Sequence, residues 1–484
     1  MAQYSLSRGN KLKPQKNDDI HEVVMITTKD GFIVDSDNPL PVSIGGESVT
    51  ITGDVNIPGN IEISNDVGNP IPVIGTTVNP WGNQVVTVDD DTVQHTSKNR
   101  RKVSTSEIID YASFTEGTQT DVWDEVTNGT GSITHDPYLG MVELEVGATA
   151  GDEVIRQTHR VVKYIPGRQN EVSMALIFGT PTAGIRRRFG LFDDNNGIFF
   201  EDVGTTYNVV VRRNTSGGVV ENRVSRDNWN VDKLDGTGPS GITADPEAIQ
   251  FMVIEYEWSG HGQVEFKFVI DNNAYAVHRF NHGNEVSYTW ATTPLLPVRI
   301  ELTNVDGVAG THTFLQGVHT VSSEGKVNSL GRVSSVSNAI TGRNNTSSGT
   351  FYPNISIRLK SGNLNSVVMP QSFTAATLDN TGMFIRVIED ATVSGGTWVS
   401  YDANSPVEYN ITPTSFTGGE TLMEVYVSPG NNGNAYEFLE NVITQLYRTT
   451  TTTIGDTSST FTIATATVGS NKDTWASLRW VTVR

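Results

Sequence analysis

The chain has 484 residues, a formal net charge of −20 and no cysteine. Without cysteine there are no disulfides, thiol nucleophiles or cysteine-based zinc sites, and the acidic balance leaves no basic footprint for nucleic acid. The composition, with 46 glycines and many Val, Thr, Asn and Ser residues, favours short strands joined by many turns. No apolar run reaches about 20 residues and residues 1–20 lack an apolar signal segment, so we expect neither a membrane span nor an N-terminal export signal.

Residues 1–19 are predicted to form a basic N-terminal arm. The first 16 residues carry four basic side chains and no acidic one, which is a local change of sign in an acidic chain. Two interpretations stay open for this arm: a frayed terminus, or a segment that docks onto a larger acidic assembly. The four basic residues are Arg8, Lys11, Lys13 and Lys16.

Residues 20–95 contain short segments in which apolar and polar residues alternate with the period of a β-strand, such as VTITGDVNI at 49–57. A short repeat is also present, DNPLPVSI at 37–44 and GNPIPVIG at 68–75, in which Asn-Pro opens a turn before a Pro-Val strand start. Segments this short cannot form a hydrophobic core by themselves. They bury their apolar faces by pairing with identical chains or with a neighbouring protein.

We therefore predict a β stalk or adaptor with a linker over residues 20–111, within a homo-oligomer for which a trimer is the favoured form. The linker at 98–111 is expected to end in a helical turn capped by Ser104 or Thr105.

The largest predicted unit is an antiparallel β-sandwich of jelly-roll or lectin-like type over residues 112–325. Its sequence is dense in strand patterns such as EVSMALIFG, YNVVVRR and QVEFKFVI. Turn sequences such as DDNNG, NTSGG and DNNA separate these strands at hairpin spacing, and no long helical pattern intervenes.

Residues 326–484 are predicted to form a C-terminal β-sandwich with one helix. A polar linker precedes strands such as ISIRLKS, MFIRVIED and TFTIATATV. The helix is predicted for NAYEFLENVITQLYR at 434–448, where apolar residues recur at helical spacing behind an Asn434 cap. The fold class is thus all-β and modular: a thin N-terminal β stalk or adaptor followed by two antiparallel, jelly-roll-like sandwiches.

The stretch FDDNNGIFF is a candidate metal loop. Asp193, Asn195 and Gly197 match the opening of an EF-hand loop, but its twelfth position is Gly204 and lacks the bidentate glutamate. Asp193, Asn195 and Glu201 remain calcium candidates for a lectin-type site. The competing interpretation is a hairpin turn, because Asp and Asn tolerate left-handed backbone and Gly supplies positive φ.

The stretch IEYEW is a candidate acid pair. Glu255 and Glu257 would point to the same side of a strand, about 6.5 Å apart along it. Retaining glycosidases hold two carboxyl groups about 5–5.5 Å apart, although the fuller E-x-D-x-x-E pattern of some jelly rolls is absent. The alternative is a half-buried strand with a wet acidic face.

Histidine and arginine patterns give two further candidate sites. His278 and His282 have metal-ligand spacing, but no third zinc ligand is evident nearby, which favours structural or surface histidines. RRRF at 186–189 and the pair Arg212 and Arg213 are basic runs in an acidic chain. They fit salt bridges at subunit interfaces or ordinary charge at a strand edge.

Several phrases of the chain resemble virion structural proteins of tailed phages, especially those that infect cyanobacteria. These phrases are RRRFGLFDDNNGIFFE, YNVVVRRNTSGG, IEYEWSGHGQVEFKFVI and HRFNHGN followed by LPVRIEL. The DNPLPV and GNPIPV openings are similar to stalk segments of the same proteins. The resemblance covers residues 20–330 well and the C-terminal domain loosely. It implies a capsid, neck, tail or fibre component with no enzymatic residues to carry over.

The leading hypothesis is a non-enzymatic structural protein of a bacteriophage virion, assembled in the host cytoplasm. Its expected partners are other virion proteins, further copies of itself and host surface glycans, with no nucleic acid, no membrane and no cofactor apart from calcium. The alternative is a receptor-binding, lectin-like protein that recognises host glycans. A third hypothesis is a glycoside-cleaving enzyme that uses Glu255 and Glu257.

Overall fold

The computed structural model describes residues 76–78, 84–86 and 105–483, apart from positions 163, 205, 259–261, 326–330, 339, 365, 430–433, 439–447 and 451–453. Regular structure within these residues is antiparallel β-strand, interrupted only by two short 3₁₀ turns. The all-β, sandwich-based fold class is therefore confirmed. Among the described residues, none forms a helix long and apolar enough to cross a bilayer. The chain forms two compact units, Met1–Val88 and Asp89–Arg484.

In the first unit the described strands form one hairpin. Strands β1 (Thr76–Val78) and β2 (Gln84–Val86) are antiparallel, with Thr76 opposite Val86. The predicted basic arm and both copies of the Asn-Pro repeat lie outside the described residues.

The second unit begins with the larger sandwich, which consists of two sheets. The seven-stranded sheet contains, from edge to edge, β12 (Gly218–Ser225), β11 (Tyr207–Thr215), β10 (Gly197–Asp202), β9 (Ile185–Phe192), β16 (Val298–Asn304), β7 (Glu153–Thr158) and β4 (Trp123–Asn128). The opposing sheet contains, in order, β15 (Asn273–Phe280), β14 (Val264–Ile270), β13 (Gln250–Tyr256), β8 (Asn170–Ile177), β17 (His312–Glu324), β6 (Met141–Val146) and β5 (Ser132–Asp136), and β3 (Ser106–Ala112) pairs with β17.

Strand β3 corrects the predicted linker. Residues 106–111 were expected to end a linker in a helical turn, but they form a strand in register with β17, with Ala112 opposite His319 and Ser106 opposite Glu324. The β-branched pair Ile108 and Ile109 favours extended backbone, and β17 supplies the hydrogen-bonding partner. The larger sandwich thus begins six residues before the predicted boundary at 112.

The smaller sandwich follows in the same unit. Its five-stranded sheet contains β18 (Arg332–Ser337), β32 (Lys472–Val483), β21 (Val367–Thr377) and β28 (Asn434–Phe438), with β19 (Arg343–Asn345) paired to β32. Its six-stranded sheet contains β24 (Val399–Ser400), β25 (Val407–Asn410), β20 (Tyr352–Leu359), β31 (Thr460–Thr467), β22 (Met383–Glu389) and β27 (Glu420–Val427). Two ribbons complete it, β23 (Thr392–Ser394) with β26 (Ser415–Thr417) and β29 (Arg448–Thr450) with β30 (Ile454–Ser458).

The helix predicted over 434–448 is wrong at both of its ends. Its first five residues form β28, which pairs with β21 and places Phe438 opposite Ser372, and its last residue starts β29. The edge of β21 offers unpaired backbone groups, and this tertiary partner overrides a local helical pattern. Positions 439–447 lie outside the described residues.

Each sandwich has its own apolar core, and the two cores meet. Phe189, Phe266 and Ile300 are fully buried in the larger core, and Trp480 in the smaller one. Val367 of β21 packs with the larger core although its neighbours belong to the smaller sandwich. An ion pair of 2.8 Å between Arg160 Nη2 and Glu389 Oε2 also joins the sandwiches. Apolar and ionic contacts therefore hold the two sandwiches in one body.

Candidate functional site

The candidate site lies on the outer face of the seven-stranded sheet. Strand β9 has the sequence IRRRFGLF, and its side chains alternate between the two faces. Phe189 and Leu191 enter the core, while Arg186 and Arg188 lie on the outer face. The side chain of Arg187 points inward and forms an ion pair with Asp202, with 2.8 Å between Nη1 and Oδ2. One run of three arginines thus serves two different environments.

A polar cleft of about 370 Å³ crosses this outer face, and we call it the arginine cleft. Its lining comes from every strand of the sheet except β10, together with the turn after β9. The cationic lining residues are Arg186, Arg188, Arg212 and Arg299. The carboxylate lining residues are Glu153, Asp194, Glu221 and Glu301. The formal charges of the cleft therefore balance, although the whole chain is strongly acidic.

Two phenylalanines beneath the cleft orient its arginines. Phe192 and Phe199 are fully buried on the outer face of the sheet and pack against each other, with 4.6 Å between ring centroids. The guanidinium groups of Arg188 and Arg212 lie 5.1 and 4.9 Å from the centre of the Phe199 ring, and that of Arg299 lies 5.3 Å from Phe192. Such cation–π contacts limit the rotamers of the arginines and fix the planes of their donors.

Ion pairs connect the carboxylates of this face to the arginines. Arg188 contacts Glu201 at 2.8 Å and Glu301 at 3.4 Å, and Arg212 contacts Glu221 at 2.8 Å. Burial opposes ionisation of Glu301, but the neighbouring guanidinium groups outweigh it and hold the pKa of Glu301 below its usual value. Burial likewise opposes ionisation of Glu221, and hydrogen bonds and charge from the arginines lower its pKa as well.

Two arginines of the cleft are less fully engaged. Arg299 places only Nη2 on carboxylates, at 3.1 Å from Asp194 Oδ1 and close to Glu301, while its Nε and Nη1 atoms have no hydrogen-bond partner among the described residues. Among the described residues, the hydrogen bond of Arg186 is a long one, 3.4 Å from Nη2 to Thr303 Oγ1. The Oε1 atom of Gln157, in the cleft wall, also has no partner among the described residues. The cleft therefore holds buried donors and an acceptor that its own atoms leave unused.

The predicted calcium candidates do not form one site. Asp193 Oδ1 accepts hydrogen bonds from the backbone N–H groups of Asn195 and Asn196, at 2.8 and 2.7 Å, and so caps the turn between β9 and β10. Glu201 lies four residue pairs along the hairpin from Gly197, about 13 Å away, where it pairs with arginines. FDDNNGIFF is thus a hairpin turn, and the register of the strands holds Glu201 apart from Asp193 and Asn195.

The glutamate pair of IEYEW lies on the opposite sheet. Strand β13 ends at Tyr256, which is buried in the core, so Glu255 lies on the outer face of the strand and Glu257 follows its last residue. Both are buried rather than wet. Lys267 Nζ lies 2.8 Å from Glu255 Oε1, and the side-chain amide of Gln169 donates to Glu255 Oε2 at 2.6 Å.

The two histidines with metal-ligand spacing serve the structure of β15 and the loop after it. The Nδ1 atom of His278 accepts a hydrogen bond of 3.2 Å from the backbone N–H of Asn230, and burial lowers the pKa of His278 to about 4. His282 Nδ1 donates to the carbonyl of Gly262 at 3.0 Å. In the part of the chain that the structure describes, no three His, Cys, Asp or Glu side chains are placed to hold a metal ion.

The arginine cleft was not predicted from the sequence. The basic runs at 186–189 and 212–213 were noted, but Arg299 stands alone in LPVRIEL and carries no local signal. The usable signal was the alternation in β9, where Arg186 and Arg188 share a face that the neighbouring apolar residues do not. Their carboxylate partners follow only from the strand register, which pairs Arg188 with both Glu201 and Glu301.

No protein-family model matches the chain, and no curated protein matches its sequence. Among solved structures, an endo-β-1,4-glucuronan lyase from the fungus Trichoderma reesei is 13% identical with a TM-score of 0.31, covering 46% of this chain and 96% of that one. The CBM2 module of an evolved Dit protein of Lactobacillus casei BL23 phage J-1 is 9% identical with a TM-score of 0.31, covering 46% and 99%. A legume lectin-like domain from Entamoeba histolytica is 12% identical with a TM-score of 0.26, covering 42% and 90%. Similarity at this level carries no conclusion about function, and the resemblance to virion proteins stays a prediction.

Proposed function

We propose that this chain is a non-enzymatic structural component of a bacteriophage virion that contacts host surface glycans through the arginine cleft. In this proposal the N-terminal region docks onto other virion proteins and forms a homo-oligomer, with a trimer favoured. The two sandwiches project from the particle. Assembly takes place in the host cytoplasm, and neither nucleic acid nor a membrane is a partner.

The observation that carries the glycan contact is the shape and chemistry of the arginine cleft. It runs across the strands of a seven-stranded sheet, and six interstrand spacings of about 4.8 Å give it a length of about 29 Å. Fixed donors and acceptors line it, which suits a long ligand rich in hydroxyl groups. Apolar side chains such as Val126 and Val219 lie along the same cleft and give sugar rings a non-polar contact.

The charges of the cleft support binding rather than glycoside cleavage. A glycosidase keeps one carboxyl group protonated near neutral pH so that it can act as a general acid. The arginines shift the pKa of both Glu301 and Glu221 downward, which favours the ionised form. On the opposite sheet, Lys267 Nζ lies 2.8 Å from Glu255 Oε1. The ion pair with Lys267 engages one of the two carboxylates on which the enzyme hypothesis depends, that of Glu255.

The virion assignment is tested by immunogold electron microscopy of infected-cell lysate, with antibody raised against residues 112–325. Gold at one fixed place on phage particles is the expected result and identifies the part of the particle. Gold on cell surfaces or free in solution contradicts the structural role. Light scattering on the purified full chain tests the oligomer, and a monomeric species contradicts it.

The glycan contact is tested by adsorption of the purified full chain to host cells with a matched pair of variants. Val219 and Val220 are neighbours on β12 and are 46% and 56% exposed, but only Val219 lines the cleft. Val219→Glu is expected to weaken adsorption by about tenfold, and Val220→Glu to leave it unchanged. Equal adsorption by both variants contradicts the placement of the glycan in this cleft.

A further inference from the structure

Arg299 is the most unusual side chain of the arginine cleft. Its side chain is 3% exposed, and two of its three donor nitrogens, Nε and Nη1, are buried without a hydrogen-bond partner among the described residues. A buried donor that has lost water and gained no acceptor destabilises the folded chain, and more so when it carries charge. The Phe192 ring beneath Arg299 fixes the orientation of this guanidinium group. Arg299 is therefore a cation with two donor atoms for which the described residues supply no acceptor.

Asp194 pairs with the remaining donor nitrogen of Arg299, Nη2, which Glu301 also contacts. Its carboxylate lies 3.1 Å from Nη2 of Arg299, but its side chain is 61% exposed, and this is its one ion pair among the described residues. The adjacent Asp193 fixes the backbone of the turn through two hydrogen bonds, so movement of the Asp194 side chain leaves the turn intact. An ion pair with one exposed partner contributes little to stability, because water screens the two charges. Asp194 is thus a carboxylate that a competing ligand displaces at little cost.

We propose that the arginine cleft binds acidic glycans, with the carboxylate of a uronic acid residue on Arg299 in place of the Asp194 side chain. This inference rests on the proposed glycan contact and names its substrate class. The planar guanidinium matches a carboxylate through two parallel hydrogen bonds. The Oε1 atom of Gln157, which lies beside Arg299 in the strand register, accepts a hydrogen bond from a sugar hydroxyl. A sugar that bears a carboxylate and hydroxyls supplies both partners.

The charge balance of the cleft favours a singly charged group over phosphate. Four arginines face four carboxylates there, and the chain as a whole carries −20. When the Asp194 side chain moves into solvent, Arg299 loses one neighbouring negative charge. The carboxylate of the ligand replaces that charge, so the net charge around Arg299 stays the same. A phosphate group adds a second negative charge at pH 7, which the cleft does not compensate.

The test is calorimetric binding of the purified full chain to uronic acid oligosaccharides and to their carboxyl-reduced counterparts. The probes are galacturonate, glucuronate and mannuronate oligomers, and reduction of each carboxylate keeps the ring and its hydroxyls but removes the charge. We expect at least one acidic oligomer to bind about tenfold or more tightly than its reduced form. Arg299→Lys is expected to lose most of that preference, because an ammonium group cannot form the paired contact.

Asp194→Asn is expected to change affinity in the opposite direction. It removes the competing carboxylate, so the acidic oligomer should bind about threefold to tenfold more tightly. A general charge effect is controlled by Asp271→Asn, at an exposed turn between β14 and β15 outside the cleft, which should leave binding unchanged. The exposed position of Asp194 keeps this arm informative if Arg299→Lys folds poorly.

The outcomes separate this inference from the function on which it rests. Equal binding of acidic and reduced oligomers overturns the role of the carboxylate but leaves the glycan contact standing. Tighter binding of phosphorylated than of uronic acid oligomers overturns the choice of carboxylate. Weaker binding by Asp194→Asn overturns the displacement, since it would make Asp194 a ligand for the sugar. If no oligomer binds and the chain still adsorbs to host cells through the cleft, only the acidic-glycan inference falls.

Discussion

The two sandwiches bury polar groups of different kinds. The larger one buries charges, such as the Arg187–Asp202 pair in its core and the arginine–carboxylate contacts of its outer face. The smaller one buries mainly hydroxyl and amide groups, such as those of Asn354, Thr465 and Thr474. Ionic pairs are costly to desolvate and respond to pH, whereas a neutral network does neither to the same degree. One chain thus uses two chemistries to fix similar sheets.

The neutral network of the smaller sandwich links three side chains directly to one another. Asn354 Nδ2 donates to Thr474 Oγ1 at 3.0 Å, Thr465 Oγ1 donates to Asn354 Oδ1 at 2.8 Å, and the two threonine hydroxyls lie 2.9 Å apart. Each member satisfies another without any formal charge. The charged sandwich is the one that carries the cleft, which suits a surface that must recognise a polar ligand.

The largest expected effect is on the buried arginine that joins the two sheets of the larger sandwich. Arg156 is fully buried between Phe114 and Trp123, pairs with Glu125 at 3.0 Å and donates to Gln316 of the other sheet. Burial lowers its pKa to about 10. Arg156→Ala leaves buried acceptors without their donor, and we expect a loss of about 3–5 kcal/mol in the free energy of unfolding.

Chemical denaturation measures this loss, with an exposed ion pair of the smaller sandwich as the control. Arg332 Nη1 lies 3.0 Å from Asp402 Oδ2 at the surface. Arg332→Ala is expected to cost only about 0–1 kcal/mol. Equal losses for the two variants would mean that burial of the ionic contacts is not what distinguishes the sandwiches.

A smaller effect is expected from the histidines, because all nine of them precede residue 320 and the smaller sandwich has none. Burial lowers the pKa of His278 to about 4, so the unfolded state binds a proton more readily than the folded state. Neutral His278 makes its full contribution to the stability of the folded state above pH 6.5, the ordinary pKa of histidine. This contribution is lost as the pH falls from 6.5 towards 4. The expected loss is about 1–3 kcal/mol.

Hydrogen exchange followed by mass spectrometry separates the two sandwiches in this pH window. Peptides of the larger sandwich should lose protection as the pH falls, once the intrinsic exchange rate is corrected, and those of the smaller one should not. His278→Gln keeps an acceptor for the N–H of Asn230 but cannot titrate, so it should flatten the dependence. An NMR titration in which His278 protonates near pH 6.5 would remove the basis of this prediction.

Local alternation in the sequence was sufficient to predict strands such as β9, β11 and β14 but not β3 or β28, and not the partners of any strand. The patterns in β9, β11 and β14 have period two and need no distant information, and the turn at FDDNNGIFF has its own turn chemistry. The helix predicted over 434–448 failed because the edge of β21, about 60 residues away, offered a strand partner. Whether such a segment forms an edge strand depends on the position of a distant strand and not on the segment's own sequence.

The cleft could not be predicted because it depends on register. Arg299 and Asp194 are more than 100 positions apart in the chain, and the hairpin turn after β9 brings them within 3.1 Å. Glu301 meets Arg188 because β16 lies beside β9, an order that requires a crossover between the sheets. A shift of one residue in either strand would move these side chains into the core. The sequence contains the residues of the site, but the pairing of the strands assembles them.

The smallest expected loss of stability comes from the neutral network of the smaller sandwich. Asn354→Ala removes a donor and an acceptor from Thr474 and Thr465, and we expect a loss of about 1–2 kcal/mol in the free energy of unfolding. No member of this network titrates between pH 5 and 8, so the loss should be the same at both values. Denaturation of the variant and the parent chain at the two pH values measures it. A loss that changed with pH would show that the smaller sandwich depends on the charged contacts of its neighbour, through the Arg160–Glu389 pair that joins them.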